Sequence, residues 1–179
     1  MCSQKIRSYI DRERAGSASP RQRSLGGNGW KGPDISDLQL KADLRDLGDF
    51  TLEVCEHILK PRKQELMITS PGINIQGQGG FNYRHVHSNS LLSCVYYLQL
   101  PEGSGDLILE DPRCSAVFAN QYEYFQRARL GMPSQRITPK ENYLYLFPAW
   151  LPHLVAPNAS IDERISIPLN IIWRPAAGV

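Results

Sequence analysis

No stretch of the 179-residue chain approaches the run of about 18 apolar residues that marks a membrane-crossing helix. No secretory apolar segment follows the N-terminus, so a cytoplasmic protein is expected. Cysteine is scarce. Cys2, Cys55, Cys94 and Cys114 stand far apart with no C-x-x-C pair, which argues for free thiols in a reducing compartment. Charge of one sign is lacking as well: 20 Lys and Arg against 18 Asp and Glu leave +2, with no basic stripe to grip nucleic acid. There is no internal repeat. The Asn158-Ala159-Ser160 sequon, without a signal peptide, reads as chance. What remains is a chain with 41% hydrophobic and 21% charged residues, the composition of one ordinary globular domain with a real core.

Residues 1–32 are polar and glycine-dotted and read as a flexible arm, with Trp30 as an anchor onto the domain. A single domain is expected over 33–179. Its helical lead-in spans 36–60, where Phe50, Leu52, Val54, Cys55, Ile58 and Leu59 fall mostly on one helical face. Asp49 reads as the N-cap of that helix and Pro61 as its stop; His57, on the flank, reads as a structural or surface residue. From about 66 to 173 the texture is β. "INIQGQ", "LLSCVYYLQL", "GDLILED", "NYLYLFP" and "RISIPLNIIW" are short branched and aromatic runs between turn signals, as in a mainly β sandwich or barrel. "PEGSGD" reads as a tight connection. The 115–136 segment, with Phe118, Tyr122, Tyr124 and Phe125, is too long for a hairpin loop and reads as a lid or a core excursion.

The chemistry concentrates in three of the four histidines. Residues i and i+2 of a strand share a face, so His85 and His87 in "RHVHSNS" project together. His153 follows a Pro-rich turn in "LFPAWLPHLVAPN", where a strand can restart. Three imidazoles on a β scaffold suit iron, zinc, copper or nickel. In "RISIPLNII", Arg164, Ser166, Pro168 and Asn170 share one face, and Ile165, Ile167, Leu169 and Ile171 fill the other, which must be core. A guanidinium and a hydroxyl facing inward beside a metal make an anion pocket. A merely structural Arg164 would need an internal acid partner. Asn74, Gln76 and Gln78 share parity and offer hydrogen bonds to a ligand or to water. Arg84, Trp150 and Asn170 are weaker candidates for the rim and wall of the site.

These residues carry a resemblance. H-x-H, then S-C-V-Y-Y-L, then His153 followed by R-x-S, resembles the double-stranded β-helix of the iron(II)- and 2-oxoglutarate-dependent oxygenases. More closely, 66–173 is similar to a family of 2OG-Fe(II) oxygenases known mainly from bacterial and phage genomes. That family shows H-x-H-x-N-S, S-x-V-Y-Y, G-x-L-x-x-x-D-P-R and F-P-x-W-L-x-H. The resemblance implies a jelly-roll, cupin-like double-stranded β-helix with an N-terminal helical segment packed on it. It implies Fe(II), with 2-oxoglutarate and O2 as cosubstrates. The activity implied is hydroxylation of an unidentified small molecule or peptide, with release of succinate and CO2. Residue by residue, His85 and His153 match metal ligands, Arg164 and Ser166 match the clamp on the distal carboxylate, and Tyr97 matches a tyrosine that assists it; Asn74 is taken as a further cosubstrate contact.

His87 stands where the wider superfamily has Asp. Either His87 is the third ligand, or a carboxylate from another strand, Asp111 in "LEDPR", completes the set; the position of His87 on its strand favours His87. An all-histidine triad leaves the ferrous site one unit more positive than the usual set. Two other readings are open. A cupin-type three-histidine dioxygenase would need no oxoglutarate, but "HSNSLLS" lacks the Glu expected after H-x-H. A β-sandwich that only binds a ligand is the other.

Overall fold

The computed structural model describes residues 2–16, 25–33, 35, 41–60, 66–113 and 134–174. The architecture is mainly β, two antiparallel sheets facing each other as a double-stranded β-helix. The smaller sheet has the order β1 (Leu25–Gly26), β5 (Phe81–His85), β10 (His153–Val155), β7 (Leu107–Glu110) and β8 (Ser134–Ile137). The larger runs β2 (Gly29–Lys31), β4 (Asn74–Gln76), β11 (Arg164–Trp173), β6 (Leu92–Gln99) and β9 (Leu144–Pro148), with β3 (Leu66–Thr69) also paired to β11. "PEGSGD" does more than turn the chain. It carries it from β6 in the larger sheet to β7 in the smaller, and Gly105 (φ 84°) lies so close to Ala156 that a Cβ there would meet the Ala156 carbonyl oxygen at 2.5 Å.

β11 organises the larger sheet. One edge pairs with β6 along most of its length; the other pairs with β4 at Arg164–Ser166 and with β3 at Asn170–Trp173. Pro168 falls in the gap between those partners. A proline brings no N–H to a ladder, and here its backbone faces the loop between β3 and β4, where its carbonyl accepts from Gly72 N (3.1 Å). The proline therefore interrupts nothing.

The apolar core sits on the outer face of this sheet. Ile165, Ile167, Leu169 and Ile171 of β11 join Cys94, Tyr96 and Leu98 of β6 under two helices, α1 (Cys2–Gly16) and α2 (Arg45–Leu59). Over 1–32 the structure differs from the flexible arm expected. α1 buries Ile6, Tyr9 and Ile10, a one-face stripe hidden among charged neighbours, and β1 and β2 pair into both sheets. Fully burying the two isoleucines contributes on the order of 4 kcal/mol. The surrounding Lys5–Asp46 and Arg14–Glu163 pairs are exposed and add little. α2 starts a turn before Asp49. Leu44 is its N-cap, because Leu44 and Leu47 extend the buried stripe N-terminally. His57 is exposed on α2. Pro61 and most of the 115–136 segment lie outside the described residues. No helix among the described residues is long and apolar enough to cross a membrane.

Candidate metal centre and its cavity

Between the sheets lies a cavity of about 610 Å³, within the usual range for small-molecule sites. His85 ends β5 and is paired in register with His153, the first residue of β10, so the two imidazoles face each other with ring centroids 4.2 Å apart. His87 lies beyond the strand. Its backbone N–H leaves the ladder to donate to Ala149 O (3.0 Å), yet its ring still turns inward, 4.9 Å from that of His85. The three ligand nitrogens lie within 4.8 Å of one another.

The tautomers follow from the partners. His85 Nδ1–H donates to Tyr83 O (2.6 Å) and His153 Nδ1–H to Leu151 O (2.9 Å), each the carbonyl two residues upstream. A carbonyl only accepts, so both Nε2 atoms carry bare lone pairs, the outer-shell arrangement that metal-binding imidazoles use. His87 Nε2 faces His153 Nε2 at 3.2 Å. Two imidazoles at right angles around one ion, about 2.1 Å away, would stand about 3 Å apart. Burial is the chief reason that the pKa of His87 falls to about 4, with the fields of His85 and Lys31 adding to it. Burial also takes His153 to about 4, against the Leu151 hydrogen bond. Both rings are thus neutral and ready to ligate over the physiological range.

Asp111 is not part of this cluster. Its carboxylate is taken by Arg113, through the backbone N (2.9 Å) and the guanidinium (2.5–3.2 Å), which holds its pKa down to about 2. Arg84 is exposed and bridged to Glu110, and Trp150 is exposed; neither walls the cavity.

The floor is a row of cross-strand neighbours. Asn74 pairs with Ser166, which pairs with Tyr97; Asn74 and Ser166 line the cavity, and Asn170 further along is held by Ser93 (2.9 Å). Arg164 does not open onto the cavity. It is 0% exposed, with all five N–H donors engaged: Nε and Nη2 to Gln76 Oε1 (3.0 and 2.7 Å), Nη2 to Gly80 O (3.2 Å), and Nη1 to Ala156 O (3.0 Å) and Ser104 O. Among the described residues no acid balances it. Burial pulls its pKa down to about 10, and Tyr97 opposes the shift. Burial likewise pushes Tyr97 up to about 12. Tyr97 Oη and Asn74 Oδ1 are the buried side-chain atoms left without a hydrogen-bond partner among the described residues. The expected inward-facing clamp is therefore not what this arrangement presents: Arg164 is sealed behind its own hydrogen bonds, and a carboxylate would reach it beside Tyr97 only by taking the place of Gln76 Oε1. Gln78 is exposed, and Asn158 is a structural clip: it is buried, and its amide donates to Gln76 O and Asp162 O.

Among the lining residues that escaped sequence reasoning are Asn82 and Lys31. Asn82 is an odd number of residues from His85, yet both face the cavity, because a bulge in β5 shifts the register against β10 between them. Lys31 sits on a three-residue strand too short to show a period.

Residues 72–170 match the family described as "Putative 2OG-Fe(II) oxygenase". A search of curated proteins finds no match. Among solved structures, a prolyl-4-hydroxylase from Pseudomonas putida superposes with TM-score 0.65 at 18% identity, over 97% of this chain and 87% of that one. A viral collagen prolyl hydroxylase from Paramecium Bursaria Chlorella virus-1, in complex with 2OG, gives 0.59 at 14%, over 94% and 90%. HygX from Streptomyces hygroscopicus, with nickel, 2-oxoglutarate and hygromycin B bound, gives 0.65 at 9%, over 98% and 79%. At these identities the likeness is one of fold.

Proposed function

The chain belongs to the 2OG-Fe(II) oxygenase family, and from that premise we propose that it hydroxylates an unidentified substrate at an all-histidine ferrous centre. The observation that carries the reading is the convergence of three imidazole nitrogens within 4.8 Å at the wall of the cavity. His85, His87 and His153 would hold the iron, with Tyr83 O and Leu151 O fixing two of the rings. Ferrous iron with 2-oxoglutarate and O2 supplies oxidative decarboxylation and oxidation of the substrate; the protein supplies orientation and a shielded cavity.

We assign the distal carboxylate of 2-oxoglutarate to Arg164, whose charge no acid of the described chain offsets, on condition that the carboxylate displaces Gln76 Oε1 from Nε and Nη2. Tyr97 Oη would donate to it, and Ser166 and Asn74 would line its approach. Because Gln76 Oε1 accepts two guanidinium N–H bonds, it stands in for an anion in the ligand-free protein. Asp111, committed to Arg113, is left out of the metal set. A cupin-type enzyme and a non-catalytic binder lose support, since the family match brings oxoglutarate chemistry with it.

The test is direct. With Fe(II), O2 and 2-oxoglutarate, the full chain should form succinate and CO2, and 2-oxoglutarate should raise the melting temperature of the Mn(II)-loaded protein. Bound metal with neither effect would end the proposal.

A further inference from the structure

Lys31 is outside the set that the oxygenase reading uses. It closes β2 in register with Asn74, and so heads the row Lys31–Asn74–Ser166–Tyr97 that crosses four strands on the inward face. An edge lysine usually extends into water. This one lines the cavity, with Cε passing 3.9 Å from where a Gly72 Cβ would stand. Among the described residues it makes no ion pair. Asn74 beside it is 6% exposed, and its Oδ1 has no partner.

The composition of the wall gives the sign. Among the described residues, none of those lining the cavity is Asp or Glu, and Lys31 is the one Lys or Arg. Thr69, Ser70, Ser88, Asn89 and Ser90 add neutral hydrogen-bonding groups to the lining. Arg164 stands on the next row, opposite Gln76, and is walled off. Among the described residues there are thus two separate cationic positions along the roll, Arg164 closed off by Gln76 and Lys31 open to the cavity.

We propose that Lys31 selects a primary substrate bearing an oxyanion, a carboxylate or a phosphate, so that the enzyme acts on small acids rather than on neutral or cationic molecules. This rests on the oxygenase reading, which gives the inner position to 2-oxoglutarate. An ammonium in a cavity whose described lining offers no counter-ion gains most from a ligand that brings one, and repels a cation.

The test uses the full chain loaded with Mn(II) and saturated with 2-oxoglutarate, titrated with butyrate, glycerol phosphate, glycerol and butylamine, with melting temperature and calorimetry as readouts. At least one anion should bind while glycerol and butylamine do not, and which anion binds separates a carboxylate from a phosphate preference. Lys31→Met should weaken that anion roughly tenfold, and Lys31→Arg should restore it. The proposal fails if butylamine binds as well as the anions or if no anion binds. It fails equally if Lys31→Met leaves the anion unaffected, or weakens 2-oxoglutarate instead. A wild-type protein whose melting temperature 2-oxoglutarate does not raise would fail at the earlier step, the oxygenase reading itself.

Discussion

On β11, Ile165, Ile167, Leu169 and Ile171 point to the helices and are nearly sealed from water, while Ser166, Pro168 and Asn170 line the cavity and Arg164, on their parity, is sealed beside it. β6 repeats the pattern, with Cys94, Tyr96 and Leu98 outward and Ser93 and Val95 inward. Both faces are largely buried, yet one is apolar and close-packed, and the other carries a cation, amides and hydroxyls around a cavity. Burial alone therefore does not identify the core. In this fold the stabilising packing is helix on sheet, and the space between the sheets is free to carry the chemistry.

The sharpest way to break that division is on the inner side. His153→Ala should empty the metal site and cut succinate formation by more than the roughly hundredfold that loss of an outer-shell partner costs. The melting temperature of the metal-free protein should shift by only about a few degrees. The converse is Ile167→Ala on the outer face: about 2–5 kcal/mol lost in denaturant unfolding, with the KM for 2-oxoglutarate unchanged. If Ile167→Ala altered KM as strongly as stability, the two faces would not be independent.

Between pH 6.5 and 4, acid should act on the inner-face histidines. His153 and His87 bind protons in the unfolded chain below about 6.5, but in the folded metal-free protein only below about 4. Their contribution is intact above pH 6.5 and is lost as pH falls toward 4, on the order of 3 kcal/mol for His153. Chemical denaturation of the metal-free protein across that window checks it, and a flat profile would contradict it. Tyr97→Phe should split in sign. Removing an orphaned buried hydroxyl should stabilise the ligand-free protein by about 1 kcal/mol, while the rise in melting temperature with 2-oxoglutarate shrinks. The smallest effect is expected of Asp111→Asn, which should leave metal stoichiometry and melting temperature unchanged; loss of the metal would restore Asp111 as a ligand.

Much of the roll is legible in the sequence, because its strands are short, branched and separated by Gly, Pro and Asn, and because alternation along β11 distinguishes its faces. Local breaks in period are not. The β5 bulge hides Asn82 from any parity count, and His87 reaches the cluster from outside the strand that would have aimed it. The three buried apolar residues of α1, Ile6, Tyr9 and Ile10, are diluted by charge, so the segment reads as an arm, and Lys31 is lost with it. The engagement of Arg164 is invisible for another reason. Its partners are chiefly the carbonyls of Gly80, Ser104 and Ala156, which every residue type possesses.

β11 cannot be edited one residue at a time. Its ten residues serve both sides of the sheet, so an inserted or deleted residue would rotate everything beyond it by half a turn. Isoleucines would then enter the roll, and hydrophilic groups would be pressed against the helices. Solubility and chemistry would disappear in the same step. Related chains should accordingly differ here by exchange of side chains, and keep their changes of length to the turns at either end.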